Sequence, residues 1–173
     1  MMALVEASRQ PDCAYEVVLV AADRADAAGI GWAEAQGIAT VTHPAKGIAK
    51  PDHEALINAA LGAASVEVIA LAGYMRLLSG AFVARWEGNI LNIHPSLLPR
   101  HKGLDTHARA IAAGDQEAGA TVHIVTEELD GGPILGQAAV PVMPDDTAET
   151  LAARVLVAEH QLYPRMLNAF CRQ

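Results

Sequence analysis

The sequence has little cysteine, few aromatic residues and no basic excess, and each shortage excludes a class of protein. Its two cysteines, Cys13 and Cys171, give no disulfide framework and no CxxC metal pair, so both are predicted to be reduced thiols. Aromatic residues make up 4% of the chain, which disfavours an aromatic-rich binding platform. The net charge of −8 argues against broad binding of nucleic acids or anionic membranes, because no basic patch is available. It does not exclude a local basic pocket for a single phosphate.

Long apolar runs and targeting segments are absent as well. No run reaches the roughly 18 apolar residues of a membrane span. Residues 1–10 carry Glu6 and no basic flank, so they do not form a signal peptide, and a cytoplasmic protein is expected.

Common cofactor and nucleophile motifs are also missing. There is no GxGxxG, no GxxxxGK[ST] and no nucleophile elbow, so dinucleotide, P-loop and serine-hydrolase interpretations have no support. The spacings of His94, His101, His107 and His123 fit no common zinc pattern, so no metal is expected.

What the chain does contain is a regular alternation of apolar strands and helical segments. Strands are predicted at 16–22, 38–43, 66–73, 90–94, 121–126 and 134–142, where Gly136 indicates a bulge or a close approach. Helices are predicted at 1–10, 25–36, from Pro51, at 79–85 and 106–113, and from an Asp146/Glu149 capping box to 162, with Pro164 kinking or restarting the last. This order predicts one α/β domain over 1–173 with a doubly wound, mostly parallel sheet.

Three polar side chains near strand ends stand out as candidate catalytic residues. Asn92 and His94 lie two positions apart and therefore share one strand face. Asp130 follows in the sequence LDGGP, whose two glycines would allow a ligand close to the backbone. In a parallel sheet, the ends at 73–76, 92–94 and 126–130 would open on the same edge. A structural histidine and an ordinary turn remain the alternatives.

These three groups suit acyl transfer to an amine without a covalent enzyme intermediate. The Asn92 amide would donate a hydrogen bond to an oxyanion. Protonated His94 would do the same or shuttle the amine proton. Asp130 would hold His94 in its charged form or orient a water molecule.

Four blocks carry a resemblance to a known family. They are LAGYMRLLS (71–79), NILNIHPSLLPRHKGLDTH (89–107), GATVHIVTEELDGGPIL (119–135) and AEHQLYP (158–164). They resemble the glycinamide ribonucleotide formyltransferases of de novo purine biosynthesis. The resemblance implies a Rossmann-like formyltransferase domain with a mostly parallel seven-stranded sheet, and formyl transfer from 10-formyltetrahydrofolate to the amine of glycinamide ribonucleotide. It implies small-molecule substrates only, with a monomer or homodimer.

The same resemblance assigns roles to individual positions. Asn92, His94 and Asp130 match the catalytic trio of the family. Glu159 matches a residue that contacts the ribose, while His107 and Thr121 match supporting polar positions near the trio. The positions that match the folate pocket are Met75, Arg76, Leu78, Val83, Ile90, Glu127 and Leu129, with the backbone of 127–130. On residue type alone, Met75, Leu78, Val83 and Ile90 fit plain core packing equally well.

The chain departs from the family pattern on the nucleotide side. The first strand and the glycine-rich GxGSN loop of the family are not found in it. That strand would lie between 16–22 and 66–71, and its loss would leave an apolar slot. Ala-Ala-Asp at 21–23 and Lys50–Pro51 also depart from the pattern.

Three alternatives follow from these departures and from the relatives. One is a truncated or inactive folate-binding homologue unable to bind the nucleotide. A formyltetrahydrofolate deformylase-like hydrolase fits less well, because that family has a second histidine where this chain has Pro95. Methionyl-tRNA formyltransferases carry an added C-terminal domain for which 173 residues leave no room.

Overall fold

The structure, a computed structural model, describes residues 1–24 and 26–173. Within them, the helices are α1 (Met2–Ser8), α2 (Ala28–Ala35), α3 (Lys50–Ala63), α4 (Gly80–Arg85), α5 (Thr106–Ala112) and α6 (Ala148–Phe170). The strands are β1 (Leu19–Ala22), β2 (Ala39–Thr42), β3 (Ile69–Leu71), β4 (Ile90–His94), β5 (Glu117–Ile124) and β6 (Ile134–Pro141). None of the helices in this part of the chain is both long enough and apolar enough to cross a bilayer.

The strands form two sheets, and the predicted α/β class is confirmed. The first contains β1 and β2 in parallel, and the second has the order β3-β4-β5-β6. β3 and β4 are parallel, whereas β4–β5 and β5–β6 are antiparallel. The predicted parallel arrangement therefore holds within the β1–β2 pair and within the β3–β4 pair, and an antiparallel hairpin forms the far edge of the second sheet.

The hairpin of β5 and β6 shows why two glycines stand in strands. β5 begins at Glu117, earlier than the predicted 121, and therefore includes Gly119. An added Cβ at Gly119 would lie 2.1 Å from the Ala138 carbonyl oxygen, which explains the glycine. At Gly136 the register shifts, since Val122 pairs with Gly136 but His123 pairs with Ile134. Both the bulge and the close approach predicted for Gly136 are present, because a Cβ there would lie 2.3 Å from the Met166 sulfur.

The helix ends follow local chemistry. α2 ends before Gly37, whose φ of +76° and whose N–H bond to the Glu34 carbonyl confirm the predicted C-terminal glycine. The predicted start of this helix at Ala25 lies outside the described residues, and the first helical residue is Ala28.

The cap of α6 differs from the prediction. Thr147, not Asp146, is the N-cap, and Thr147 and Thr150 exchange the two bonds of a capping box. The Asp146 carboxylate instead binds Arg154, nearly two turns into the helix, at 2.6 Å. Pro164 lies inside α6, which continues to Phe170 because its apolar face packs on the sheet.

The main hydrophobic core lies between α6 and the second sheet. Its fully buried members include Leu91 of β4, Val122 of β5 and Leu151 and Leu162 of α6. A smaller cluster joins α2 to β1 around Ala33.

A large cavity separates the two sheets. It measures about 1130 Å³ and runs between β1 and β3. In the described residues the two strands belong to different sheets and do not pair with each other. This cavity agrees with the apolar slot expected between 16–22 and 66–71.

Candidate active site

β4 and β5 place three polar side chains on one face of the second sheet. Asn92 and His94 are two residues apart on β4, and Asn92 pairs directly with His123 on β5. All three are largely withdrawn from solvent, with His94 6% and His123 2% exposed. The site is therefore built on two paired strands of the second sheet.

Asp130 reaches this face by a route that differs from the sequence prediction. β5 is antiparallel to β4, so its end at Ile124 pairs with Leu91, at the far end of β4 from His94. The loop 125–133 therefore starts at the wrong edge for a parallel-sheet site and folds back to bring Asp130 to His94. Loop 125–133 meets the end of β4, but not because parallel strands end together.

The Asp130 carboxylate is the centre of the cluster. Its side chain is 8% exposed, and Oδ2 accepts a hydrogen bond from the Gly103 N–H at 2.9 Å. The same oxygen lies 3.4 Å from His94 Nδ1, and Oδ1 lies 3.7 Å from His123 Nε2. The residue has a φ of +49°, a left-handed conformation that aspartate tolerates better than most residues.

Both ring nitrogens of His94 face acceptors. Nε2 lies 3.0 Å from the His101 carbonyl oxygen, to which it can only donate. Nδ1 faces the Asp130 carboxylate. Asp130 therefore lies where it can orient the His94 ring from the Nδ1 side.

His123 fixes the orientation of the Asn92 amide. Its Nδ1 lies 3.0 Å from the Ile124 carbonyl oxygen and therefore carries the proton. Nε2 is then an acceptor in the neutral ring, and Asn92 Nδ2 donates to it at 3.2 Å. The amide nitrogen is thereby assigned, and its second N–H remains for a ligand.

The sequence prediction weighed His123 only as a metal ligand and missed this role. The indication available was its position two residues after Thr121, on the same face of a strand expected near β4. Strand register was needed to place it opposite Asn92.

His123 should make the protein sensitive to mild acid. Burial lowers the pKa of His123 below its ordinary 6.5, while the Ile124 carbonyl and Asp130 partly oppose that effect. Unfolding therefore takes up a proton as the pH falls below about 6.5, and stability decreases. We expect His123→Gln, which has no such proton to take up, to lose less unfolding free energy between pH 7.5 and 5.5 in urea titrations. An equal loss in His123→Gln and in the exposed control His160→Gln would contradict this.

Thr121 supports the loop that follows β4. Its buried hydroxyl donates to the Ser96 carbonyl and accepts from the Leu98 N–H and from the Gln137 amide. It is 0% exposed, so it acts on the protein itself and offers a ligand no surface.

The end of the same loop is held by Asp115. His101 lies 2.7 Å and Arg100 3.5 Å from the Asp115 carboxylate. This ion pair fixes the His101 carbonyl that faces His94.

Gly132 lies against backbone that a side chain would meet, whereas Gly131 lies against the end of the exposed Glu128 side chain. A Cβ on Gly132 would lie 1.9 Å from the Ile124 carbonyl oxygen, and one on Gly131 would lie 2.3 Å from the Glu128 side chain. The close approach is to the protein's own chain, which lets loop 125–133 fold back over β5.

The residues predicted for a folate pocket fall into an exposed and a buried group. Met75 is 76% and Leu129 52% exposed, and Arg76 is half-buried. The Glu127 carboxyl group lies against Gly80 at the start of α4.

The buried group follows the core-packing alternative. Ile90 is 0% and Val83 7% exposed, and Leu78 packs against the cluster that contains Ile90. In this conformation they belong to the hydrophobic packing of the protein.

Glu159 lies near the amino terminus, whereas His107 lies near His94. Burial raises the pKa of Glu159, and the ammonium group of Met1 opposes that rise, so the two groups are neighbours. His107 Nδ1 is buried without a hydrogen-bond partner in the described structure. Burial lowers the pKa of His107, and the nearby His94 lowers it further.

Comparison with known proteins identifies the family to which the chain belongs. The sequence profile of the family described as formyl transferase matches residues 1–167. The chain belongs to the formyl transferase family. The resemblance inferred from its sequence blocks is thereby confirmed.

Two similar members of this family are both phosphoribosylglycinamide formyltransferases. Phosphoribosylglycinamide formyltransferase of Escherichia coli (strain K12) is 40% identical over 171 residues, which are 98% of this chain and 81% of that protein. The crystal structure of phosphoribosylglycinamide formyltransferase from Brucella melitensis matches with a TM-score of 0.94 and 56% identity, covering 99% of this chain and 88% of that one.

A longer relative shares only this domain. The trifunctional purine biosynthetic protein adenosine-3 of Gallus gallus is 46% identical over 168 residues, 96% of this chain. The formyl transferase chain spans 17% of that protein's length.

Proposed function

We propose that this formyl transferase chain moves a formyl group from 10-formyltetrahydrofolate to the amine of glycinamide ribonucleotide, a step of purine biosynthesis. The observation that carries the proposal is the buried cluster of Asn92, His94 and Asp130, in a chain 40% identical to a phosphoribosylglycinamide formyltransferase. A cytoplasmic location and a monomeric or homodimeric state belong to the same proposal.

The chemistry divides among the three side chains. The substrate amine attacks the formyl carbon, a new C–N bond forms, and the carbonyl oxygen becomes an oxyanion. The free N–H of Asn92, fixed by His123, donates to that oxyanion. The bond from carbon to N10 of the folate then breaks, and the proton lost by the amine passes to N10.

His94 and Asp130 support the charge changes of this step. The imidazolium of His94 stabilises developing negative charge from beside Asn92. Asp130 keeps that imidazolium in place through Oδ2 and lies close enough to orient a water molecule that carries the proton. No covalent enzyme intermediate is needed.

The rim of the site suits the flat pteridine ring of a folate. Leu129 precedes Asp130, and Leu104 follows the Gly103 that binds it. Leu129 is 52% exposed and Leu104 67%. Met75, beyond the end of β3, is 76% exposed. Exposed apolar groups around a buried polar cluster are typical of small-molecule sites.

The direct test is an assay with both substrates. We expect tetrahydrofolate release that depends on glycinamide ribonucleotide, with formyl-glycinamide ribonucleotide as the product seen by NMR. Formate as the product, at the same rate without the nucleotide, would replace the proposal with a deformylase-like hydrolase.

A further inference from the structure

The segment that follows α1 is tied to the end of α6 at two points. The Asp12 carbonyl accepts a hydrogen bond from the Arg172 guanidinium group. Two residues further on, the Ala14 N–H donates to the side-chain oxygen of Asn168 at 2.7 Å. The residue between these two anchored positions is Cys13.

The other cysteine of the chain lies on the matching face of α6. Cys171 is the C-cap of the helix and keeps a helical φ of −73°. It stands three residues after Asn168 and next to Arg172, and helical residues three and four positions apart have neighbouring side chains. Cys171 is therefore grouped with the two side chains that hold the backbone on either side of Cys13.

The charges felt by neighbouring groups agree with this placement. Burial raises the pKa of the Cys171 thiol, and negative charge on Cys13 and on Glu67 raises it further. Burial also raises the pKa of Tyr15, and negative charge on each of the two cysteines adds to that effect. The two sulfur atoms therefore belong to one cluster, although 157 residues separate them in the sequence.

Both cysteines are half-buried and lie at the ends of local structure. Cys13 closes a turn, in which its N–H donates to the Gln10 carbonyl at 3.0 Å. A disulfide requires Cα atoms about 4.4–6.8 Å apart, and backbone at helix ends and in turns adjusts to that distance more easily than backbone inside an element. The alternative is that both cysteines pack only as small apolar side chains.

We propose that Cys13 and Cys171 form a reversible disulfide when the protein meets a small disulfide oxidant such as glutathione disulfide. The two reduced thiols expected from the sequence are the reduced form of this pair. The proposal does not depend on formyl transfer, so either can fail alone.

The reaction consists of two thiol–disulfide exchanges. The thiolate of one cysteine attacks the oxidant, whose S–S bond breaks, and one glutathione thiolate leaves a mixed disulfide behind. The thiolate of the second cysteine then attacks the protein sulfur of the mixed disulfide and displaces the second glutathione. The protein loses two electrons and two protons, and glutathione disulfide gains them as two glutathione thiols.

The test uses the full chain, first reduced and then freed of reductant, with glutathione disulfide at mildly alkaline pH. We expect the mass of the chain to fall by two hydrogen atoms, with no thiol left for alkylation. Digestion without reductant should give one cross-linked peptide pair that contains Cys13 and Cys171. Because the bond forms within one chain, its rate should not depend on protein concentration.

The cross-link should also stabilise the fold. It joins two distant segments and so restricts the unfolded chain, which should raise the melting temperature by about 5 °C or more. Dithiothreitol should restore both thiols and the original melting temperature.

A variant with a displaced thiol provides the matched control. Cys171→Ser combined with Ala169→Cys moves the helix thiol by two residues, about 200° around α6, to an exposed position. This variant should stop at mixed disulfides with glutathione. Two glutathione adducts without a cross-link in the parent chain, unreacted thiols, a disulfide-linked dimer, equal cross-linking of the control, or an unchanged melting temperature after cross-linking would overturn the proposal.

Discussion

Asp130→Asn should reduce kcat for formyl transfer by about 10²–10⁴-fold. The amide oxygen of asparagine still accepts from the Gly103 N–H, so the loop remains in place. What is lost is the negative charge 3.4 Å from His94 Nδ1. Stopped-flow or steady-state kinetics give kcat, and a folate-analogue titration should show almost unchanged affinity.

A buried carboxylate elsewhere provides the matched control. The Asp146 side chain is 4% exposed and lies 2.6 Å from Arg154, away from the cluster. Asp146→Asn should lower the melting temperature and leave kcat unchanged. If Asp130→Asn kept full turnover, Asp130 would be removed from the mechanism.

Asn92→Ala should reduce kcat by about 10²–10³-fold, the typical effect of losing one oxyanion donor. The structure leaves this amide one N–H for a ligand after its bond to His123 Nε2. Asn92→Asp should be at least as damaging, because it replaces the donor with a negative acceptor that faces both the oxyanion and the lone pair of His123. The change should be in kcat, with little effect on folate affinity.

Asn58 provides the contrasting substitution. Its amide oxygen accepts from the Trp86 indole N–H at 2.8 Å, and a carboxylate oxygen can replace it. Asn58→Asp should therefore leave kcat unchanged. Wild-type turnover in Asn92→Asp would show that Asn92 donates no bond in the transition state.

The strands of the core were predictable because their apolar runs are short and bounded by turn residues. β4 has its predicted bounds, and Asn92 and His94 share a face because side chains alternate along any strand. The α6 cap was misassigned because Asp146 and Thr147 are both good caps, and the choice depended on Arg154, eight residues away from Asp146. The residues next to Asp146 in the sequence do not indicate its contact with Arg154.

The sequence alone determined the α/β class, the family and the Asn92–His94 pair, because these depend on periodicity and on blocks of adjacent residues. Only the tertiary structure decided how Asp130 approaches His94 and that His123 fixes the Asn92 amide, because both depend on the antiparallel direction and register of β5. It also showed that the Thr121 hydroxyl holds the loop after β4. Direction and register arise from pairing between distant segments, which no local pattern encodes.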